Sequence, residues 1–394
     1  MIEVRPGDTP DRARLAARIR YADSDTRTET IFFDVPEQLA GSLSETGHPW
    51  LVLFLPLAAT LGEPLRIHRP VDPMLLENCQ TLLEIWRSWY PRLSNIEIDV
   101  PVSHRPVSTD GRTMAFFSGG IDSFSTLLQA DDDPNEYDDF VFVWGFDIPR
   151  DNARAFRRYW HKIRKLGDEL GKSFFYVATN LRETRFREAD WAGLYHGAAL
   201  ASIGLALEKR YARILISATH RAGDVQHWGS HPDTDPLCST SKTEVVHYGG
   251  ERSRVQKTAR VARSAPALDN LRVCAHSRSD ENCSHCNKCY RTMINLELLG
   301  ALERCTRFDR SQFSIERIAS LYSDSENAMK FLYELEQLAR DRGRTDIANA
   351  LLRSYKHSKH LDRWLQLPRF LKRQPFLWRY SEPVERLILN RSIY

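Results

Sequence analysis

Met114-Ala115-Phe116-Phe117-Ser118-Gly119-Gly120-Ile121-Asp122-Ser123-Phe124-Ser125-Thr126-Leu127-Leu128 reads as a buried strand that meets a helix through a tight turn, Ser118 to Ser123. Adjacent glycines let the backbone curl without Cβ interference, and N–H groups at a helix start point toward negative charge. The hydroxyls of Ser118 and Ser123 add donors. Asp122 would be repelled by a bare phosphate, so its presence implies a magnesium ion bridging it to the phosphates. The plainer alternative is a strand-to-helix turn with Asp122 or Ser123 as helix cap. No Gly-Lys-Ser/Thr follows, which excludes a Walker loop.

From this turn outward, short apolar runs alternate with amphipathic helices. Strands are expected at Met114 to Phe117, Phe140 to Phe146, Phe174 to Val177 and Ile214 to Ser217. Phe156, Trp160, Ile163, Leu166 and Leu170 mark one helix between them, and Leu194, Ala198, Ala201 and Leu205 another. This is the pattern of an α/β, doubly wound parallel sheet, which binds ligands beyond the carboxyl ends of its strands. Residues 1–110 are expected to form a separate α+β domain. Its strands would be Glu29 to Val35 and Ile96 to Val100, and its helix would be capped by Asp72-Pro73, with Leu75, Cys79, Leu82 and Trp86 on one face. Pro101 to Gly111 reads as the linker, 111–300 as the nucleotide domain, and 301–394 as a helical C-terminal region with Phe331, Leu335 and Leu338 on one face and a turn at Gly343. Asp131-Asp132-Asp133 reads as an exposed turn.

The chain has 394 residues, 42% hydrophobic and 27% charged, with a formal net charge of +3, which excludes a disordered or fibrous chain and a generally basic nucleic-acid coat. Any basic surface must be local. From Leu351 onward there are ten Lys or Arg against three Asp or Glu, either the solvated faces of helices or a docking surface for an acidic protein or nucleic acid. The charged N-terminus lacks the apolar stretch of a secretory signal, and the longest apolar run, Trp50 to Ala59, is interrupted by Pro56. A cytoplasmic protein, with no membrane association and with a homodimer admitted, is the expectation.

Cys274, Cys283, Cys286 and Cys289 form a Cys-x8-Cys-x2-Cys-x2-Cys series that can close a tetrahedral site, as structural zinc requires. An iron-sulfur cluster is the competing reading, although no Cys-Pro follows as in bacterial ferredoxins. His276 and His285 could replace a thiolate, or be exposed loop residues.

The Ser118-Gly119-Gly120-x-Asp122-Ser123 turn resembles the Ser-Gly-Gly-x-Asp-Ser loop of the PP-loop ATP pyrophosphatases, of adenine-nucleotide α-hydrolase-like fold. With the cysteine series, the stretch from about 113 to 300 is similar to the 7-cyano-7-deazaguanine synthases. The resemblance implies ATP and magnesium contacts at Ser118, Gly119, Gly120, Asp122 and Ser123, and zinc at the four cysteines. It also implies adenylation of a 7-carboxy-7-deazaguanine-like carboxylate with pyrophosphate release, then attack by ammonia or an amine to give an amide, a nitrile or a conjugate to a partner. Lys242, in Ser241-Lys242-Thr243-Glu244-Val245-Val246, resembles a late lysine of several PP-loop domains and is the candidate for stabilising charge at phosphorus; as a single Lys in a polar stretch it also reads as merely solvated. The flanking regions resemble those of extended relatives in bacterial anti-phage operons, which implies a protein or nucleotide partner.

The family's substrate run is replaced here by Thr219 to Asp233, of which only Pro232-Asp233 matches. Within it Trp228 could stack on a flat ring, Arg221, His227 and His231 could hold a carboxylate, and Asp224 or Asp233 could accept from ring or amine N–H groups. Any of these histidines could also move a proton during amide formation. Two rival readings stand beside the ligase. One is a tRNA-thiolating PP-loop enzyme that would pass sulfur through Cys79, Cys238 or Cys305; the other is a non-catalytic nucleotide-binding scaffold in a complex.

Overall fold

The computed structural model describes residues 2–23, 28–129, 137–224, 227–274, 276–323 and 326–372. Two compact units result, one from Met1–Ser253 with Arg278–Asp280, the other from Arg254–Ser277 with Glu281–Tyr394.

The strands of the first unit are β1 (Ile2–Pro6), β2 (Arg12–Arg20), β3 (Thr28–Pro36), β4 (Leu65–Arg66), β5 (Ile98–Asp99), β6 (Arg112–Phe116), β7 (Asp139–Trp144), β8 (Phe174–Thr179), β9 (Tyr211–Ser217) and β10 (Glu244–Tyr248). Its helices are α1 (His48–Leu61), α2 (Pro73–Trp89), α3 (Ile121–Leu127), α4 (Ala153–Leu170) and α5 (His196–Leu205). An eight-stranded sheet runs β1-β2-β3-β8-β7-β6-β9-β10, and β4-β5 pair separately. From β8 to β10 every pairing is parallel, while β1 to β3 join antiparallel. The expected α/β class and parallel centre are therefore observed.

Register explains why helices cover both faces. Met114 lies opposite Ile214, and Phe116 opposite Val141, so these four share a face; Phe142, one residue on, turns to the other. Gly204 of α5 packs on Ile214, and Phe156 and Tyr159 of α4 pack on Phe142.

Residues 1–110 do not form the separate domain expected from the sequence. Phe33 and Asp34 of β3 pair with Thr179 and Ala178 of β8, and Ser202 of α5 donates to the Pro49 carbonyl at 2.7 Å. Trp50 and Ala199 share one core. The Pro101 to Gly111 stretch leads into β6 without dividing compact units. Asp72 does cap α2, accepting from the N–H groups of Met74 and Leu75, and Leu75, Cys79, Leu82 and Trp86 are buried. The apolar run from Trp50 to Ala59 lies in α1, apolar all round because it is buried all round. No helix among the described residues is long and apolar enough to cross a membrane.

Asp280, 1% exposed, belongs to the first unit by its contacts: the Arg158 guanidinium lies 2.5 Å away and the Lys162 ammonium 3.5 Å, both on α4. The second unit comprises α6 (Arg254–Val261), α7 (Ala265–Asn270), α8 (Asn287–Leu298), α9 (Ile315–Ala319), α10 (Glu326–Asp341) and α11 (Thr345–Lys372). Tyr290, Ile294 and Leu298 of α8 share a core with Leu332, Leu335, Ile347 and Leu351. A boundary at 300 is thus not observed, because the helix that carries Cys289 supplies one wall of the C-terminal core. Gly343, at φ +68°, makes the expected turn between α10 and α11. On α11, Arg353, Lys356, Lys359 and Arg363 are exposed. The basic residues from Arg373 onward lie outside the described residues, as does Asp131-Asp132-Asp133.

Candidate functional site

The glycine turn leaves the carboxyl end of β6 where the order of the sheet reverses. The chain steps from β6 to β7 and β8 on one side, then crosses to β9 and β10 on the other. Such a switch point opens a crevice between strands beyond their carboxyl ends. Gly119 has φ +79°, and a Cβ there would lie 1.6 Å from the hydroxyl of Tyr159, so glycine is required on two counts. That hydroxyl donates to the Ser118 carbonyl at 3.4 Å. Gly119 N–H donates to Ser123 Oγ at 3.1 Å, and Gly120 N–H to Ser118 Oγ at 3.3 Å. The two serines therefore hold the turn closed, with Ser123 Oγ also donating to the Gly120 carbonyl at 3.1 Å. Asp122 is half-buried on the first turn of α3, the residue before Ser123.

The loop after β9 lies at the same edge, and its expected substrate residues fall into separate groups. Arg221 and Asp224 are exposed and share a turn in which Asp224 N–H donates to the Arg221 carbonyl at 3.0 Å. His227 stacks on Trp89 at 5.0 Å, and His231 meets the same ring edge-on at 4.9 Å. Asp233 donates its N–H to His231 Nδ1 at 3.1 Å, and its exposed carboxylate lies 3.6 Å from that nitrogen. Burial pulls the pKa of His231 below the ordinary histidine value. Trp228 is half-buried between the rings of His196 and His220, at 5.8 and 5.9 Å. The structure thus brings His227, His231 and Asp233 together and places Trp228 in its own aromatic group.

Lys242 is elsewhere. It precedes β10, which runs parallel to β9, so it lies at the amino edge of the sheet. Thr243 Oγ1 donates to the Tyr211 carbonyl at the start of β9, at 3.2 Å, and Glu244 pairs with Arg213. Five residues of β6 separate that edge from the glycine turn, roughly 16 Å at 3.3 Å per residue, beyond the reach of a lysine. The expected role for Lys242 at phosphorus is corrected on this ground.

Residues that the sequence did not single out also meet here. Asp235 and His247 approach to 2.8 Å, Ser230 lies 2.6 Å from the same carboxylate, and Gly197 has no room for a Cβ, which would lie 2.5 Å from Asp235 Oδ1. The π-turn Trp191–Tyr195, a rare element enriched at functional sites, leads into α5. The one signal in sequence was the cluster of histidines and aspartates itself.

In the second unit, Cys274, Cys283, Cys286 and Cys289 place their Sγ atoms within 4.8 Å of one another. The Cys274–Cys286 and Cys283–Cys289 sulfurs are 3.8 Å apart, the edge of a tetrahedron with metal–sulfur bonds of about 2.3 Å. Ser277 N–H donates to Cys274 Sγ at 3.1 Å and Cys286 N–H to Cys283 Sγ at 3.3 Å, bonds that favour thiolates. Hydrogen bonding to Cys286 and then burial push the Cys289 thiol far above its ordinary range, a penalty that a cation removes. Ser284, at φ +62°, turns the chain between two of the ligands. His276 and His285 are exposed, and His285 Nδ1 bonds to the Cys283 carbonyl at 2.7 Å, so neither replaces a thiolate. The quartet can hold a metal ion such as zinc.

Comparison with protein-family models, with curated proteins and with solved structures found no match to this chain.

Proposed function

We propose that the first unit is an ATP-dependent ligase of PP-loop type, which adenylates a carboxylate and passes the acyl group to ammonia or an amine. The supporting observation is the glycine turn at the switch point of the sheet, with Gly119 forced to positive φ against Tyr159. On binding, the hydroxyls of Ser118 and Ser123, and the N–H groups of Gly119 and Gly120 that they hold in this structure, would turn to the β- and γ-phosphates. A carboxylate oxygen of the substrate attacks the α-phosphorus, and the bond to pyrophosphate breaks. The protein's part is to align the two and to stabilise charge on the leaving oxygens. The oxygen donors of Asp122, Ser118 and Ser123 fit magnesium, which would neutralise phosphate charge. The sulfur quartet fits zinc, which would fold the loop that carries it.

The substrate acid belongs under the loop after β9, where Trp228 offers an aromatic face and His227 and His231 offer nitrogen donors. The acid is of 7-carboxy-7-deazaguanine type in this reading. The exposed basic stripe of α11 fits an acidic macromolecular acceptor. Sulfur transfer is disfavoured: Cys79 and Cys238 are fully buried with thiols pushed far up by burial, and burial takes Cys305 up to about 11.

The test is pyrophosphate–ATP exchange and pyrophosphate release with 7-carboxy-7-deazaguanine. Wild-type protein should exchange, and Asp122→Asn should lower the rate by about 100-fold or more. Unchanged exchange in Asp122→Asn would refute the assignment.

A further inference from the structure

Asp235 is buried and engaged by three donors at the carboxyl edge. Its side chain is 2% exposed, and it accepts from Ser230 Oγ at 2.6 Å, from His247 Nδ1 at 2.8 Å and from the His231 N–H at 3.3 Å. A carboxylate on Nδ1 assigns that nitrogen the proton and leaves Nε2 with its lone pair. Nε2 of His247 has no hydrogen-bond partner among the described residues, and the side chain keeps 6% of its exposure. Ser230 lies 3.4 Å from Nδ1 and gives its proton to the carboxylate, so this is not a serine nucleophile waiting on its base.

The dyad's place in the sheet bears on the reaction. His247 is the penultimate residue of β10 and pairs with Ile216; Leu215 of the same strand pairs with Ala115. His247 is therefore level with Phe116, just below the glycine turn, and two strand spacings place it about 10 Å across the sheet. His231, which feels the charge of His247, packs with His227 against Trp89 at the end of α2. With the β- and γ-phosphates of ATP at the turn, the α-phosphate and the acyl carbon one oxygen beyond it would lie between the turn and this strand.

We infer that His247, oriented by Asp235, is the proton acceptor for the attacking amine. The inference rests on the adenylation reading. The amine nitrogen forms a C–N bond to the acyl carbon, the C–O bond to AMP breaks, and AMP leaves with that electron pair. Before attack, Nε2 takes from ammonium the proton that occupies the nitrogen's lone pair and passes it to solvent; the proton left on nitrogen after attack goes directly to water.

His247→Asn tests this, because its side-chain amide replaces Nδ1–H toward Asp235 and removes the base. The probes are ATP, 7-carboxy-7-deazaguanine and either ammonia or hydroxylamine, a nucleophile already uncharged at neutral pH. Pyrophosphate exchange should stay within about threefold of wild type, showing an intact adenylation site. Amide formation from ammonia should fall about 100-fold or more, while hydroxamate formation stays near wild type. Undiminished amide formation, equal losses with both nucleophiles, or loss of exchange in the variant each overturn the proposal, the last two by assigning His247 a structural role. Absence of exchange in the wild type would instead overturn the adenylation reading, and the dyad's role with it.

Discussion

Gly119 carries two constraints that a methyl group would violate together. The left-handed backbone costs a non-glycine residue about 1–2 kcal/mol, and the tyrosine hydroxyl occupies the space besides. Gly119→Ala should therefore lower the thermal midpoint and abolish pyrophosphate exchange. Lys242→Ala, at the opposite edge, should leave exchange within about twofold of wild type; a loss near that of Asp122→Asn would bring Lys242 back to the reaction and reopen the sheet geometry. The contrast marks what single residues disclose. The turn was legible because two adjacent glycines and an aspartate between a strand and a helix answer to one local geometry. The Lys242 assignment failed because a lysine near a strand says nothing about which end of it the lysine occupies. Asp235 and His247 were not legible because a histidine in Val245-Val246-His247-Tyr248 looks like any strand residue until β10 pairs with β9.

At the scale of elements, the loop between β9 and β10 holds a pH-dependent part of the fold. His231 is 7% exposed, and its Nδ1 must accept the Asp233 N–H, so burial lowers its pKa in the fold. Asp233 and Asp235 oppose that shift, while His247 and His227 add to it. The unfolded chain takes up the proton near 6.5, the ordinary value, before the folded protein does. The stability His231 contributes is then complete above about pH 6.5 and declines as pH falls toward the lower folded value. Urea unfolding at pH 8 and 5.5 should show this decline, and His231→Asn, which retains an acceptor for Asp233, should reduce it. An identical decline in the variant would place the titration elsewhere. Elements governed by local chemistry were readable: Asp72 caps α2, and the apolar faces of α4 and α5 recur at helical spacing. Strand β2 was not, because its alternating arginines resemble a solvated segment. In the fold Arg14 is buried against Asp34 at 2.5 Å, and Arg12 lies over the Tyr176 ring at 4.0 Å.

Across the whole molecule, the division into units follows long-range pairing that no local pattern announces. Pro101 to Gly111 has the composition of a linker, yet β3 joins β8 from more than a hundred residues away, so the N-terminal strands belong to the same eight-stranded sheet as the glycine turn. The cysteine spacing was legible as a metal site, but not which unit it would support. Cys289 and Tyr290 are consecutive residues of α8, one in the sulfur quartet and the next in the core shared with α10 and α11. A bound ion therefore contributes to the folding of the second unit, since thiolates without a cation carry repulsion and burial cost together. Elemental analysis should find about one zinc per chain, and visible absorbance from iron would contradict the assignment. Removing the metal with a chelator, or substituting Cys286→Ser, should lower the unfolding transition of the second unit by several kcal/mol while β6 to β10 keep their amide-exchange protection. Equal loss of protection in both units would show that the metal supports the whole chain rather than the helical unit that carries it.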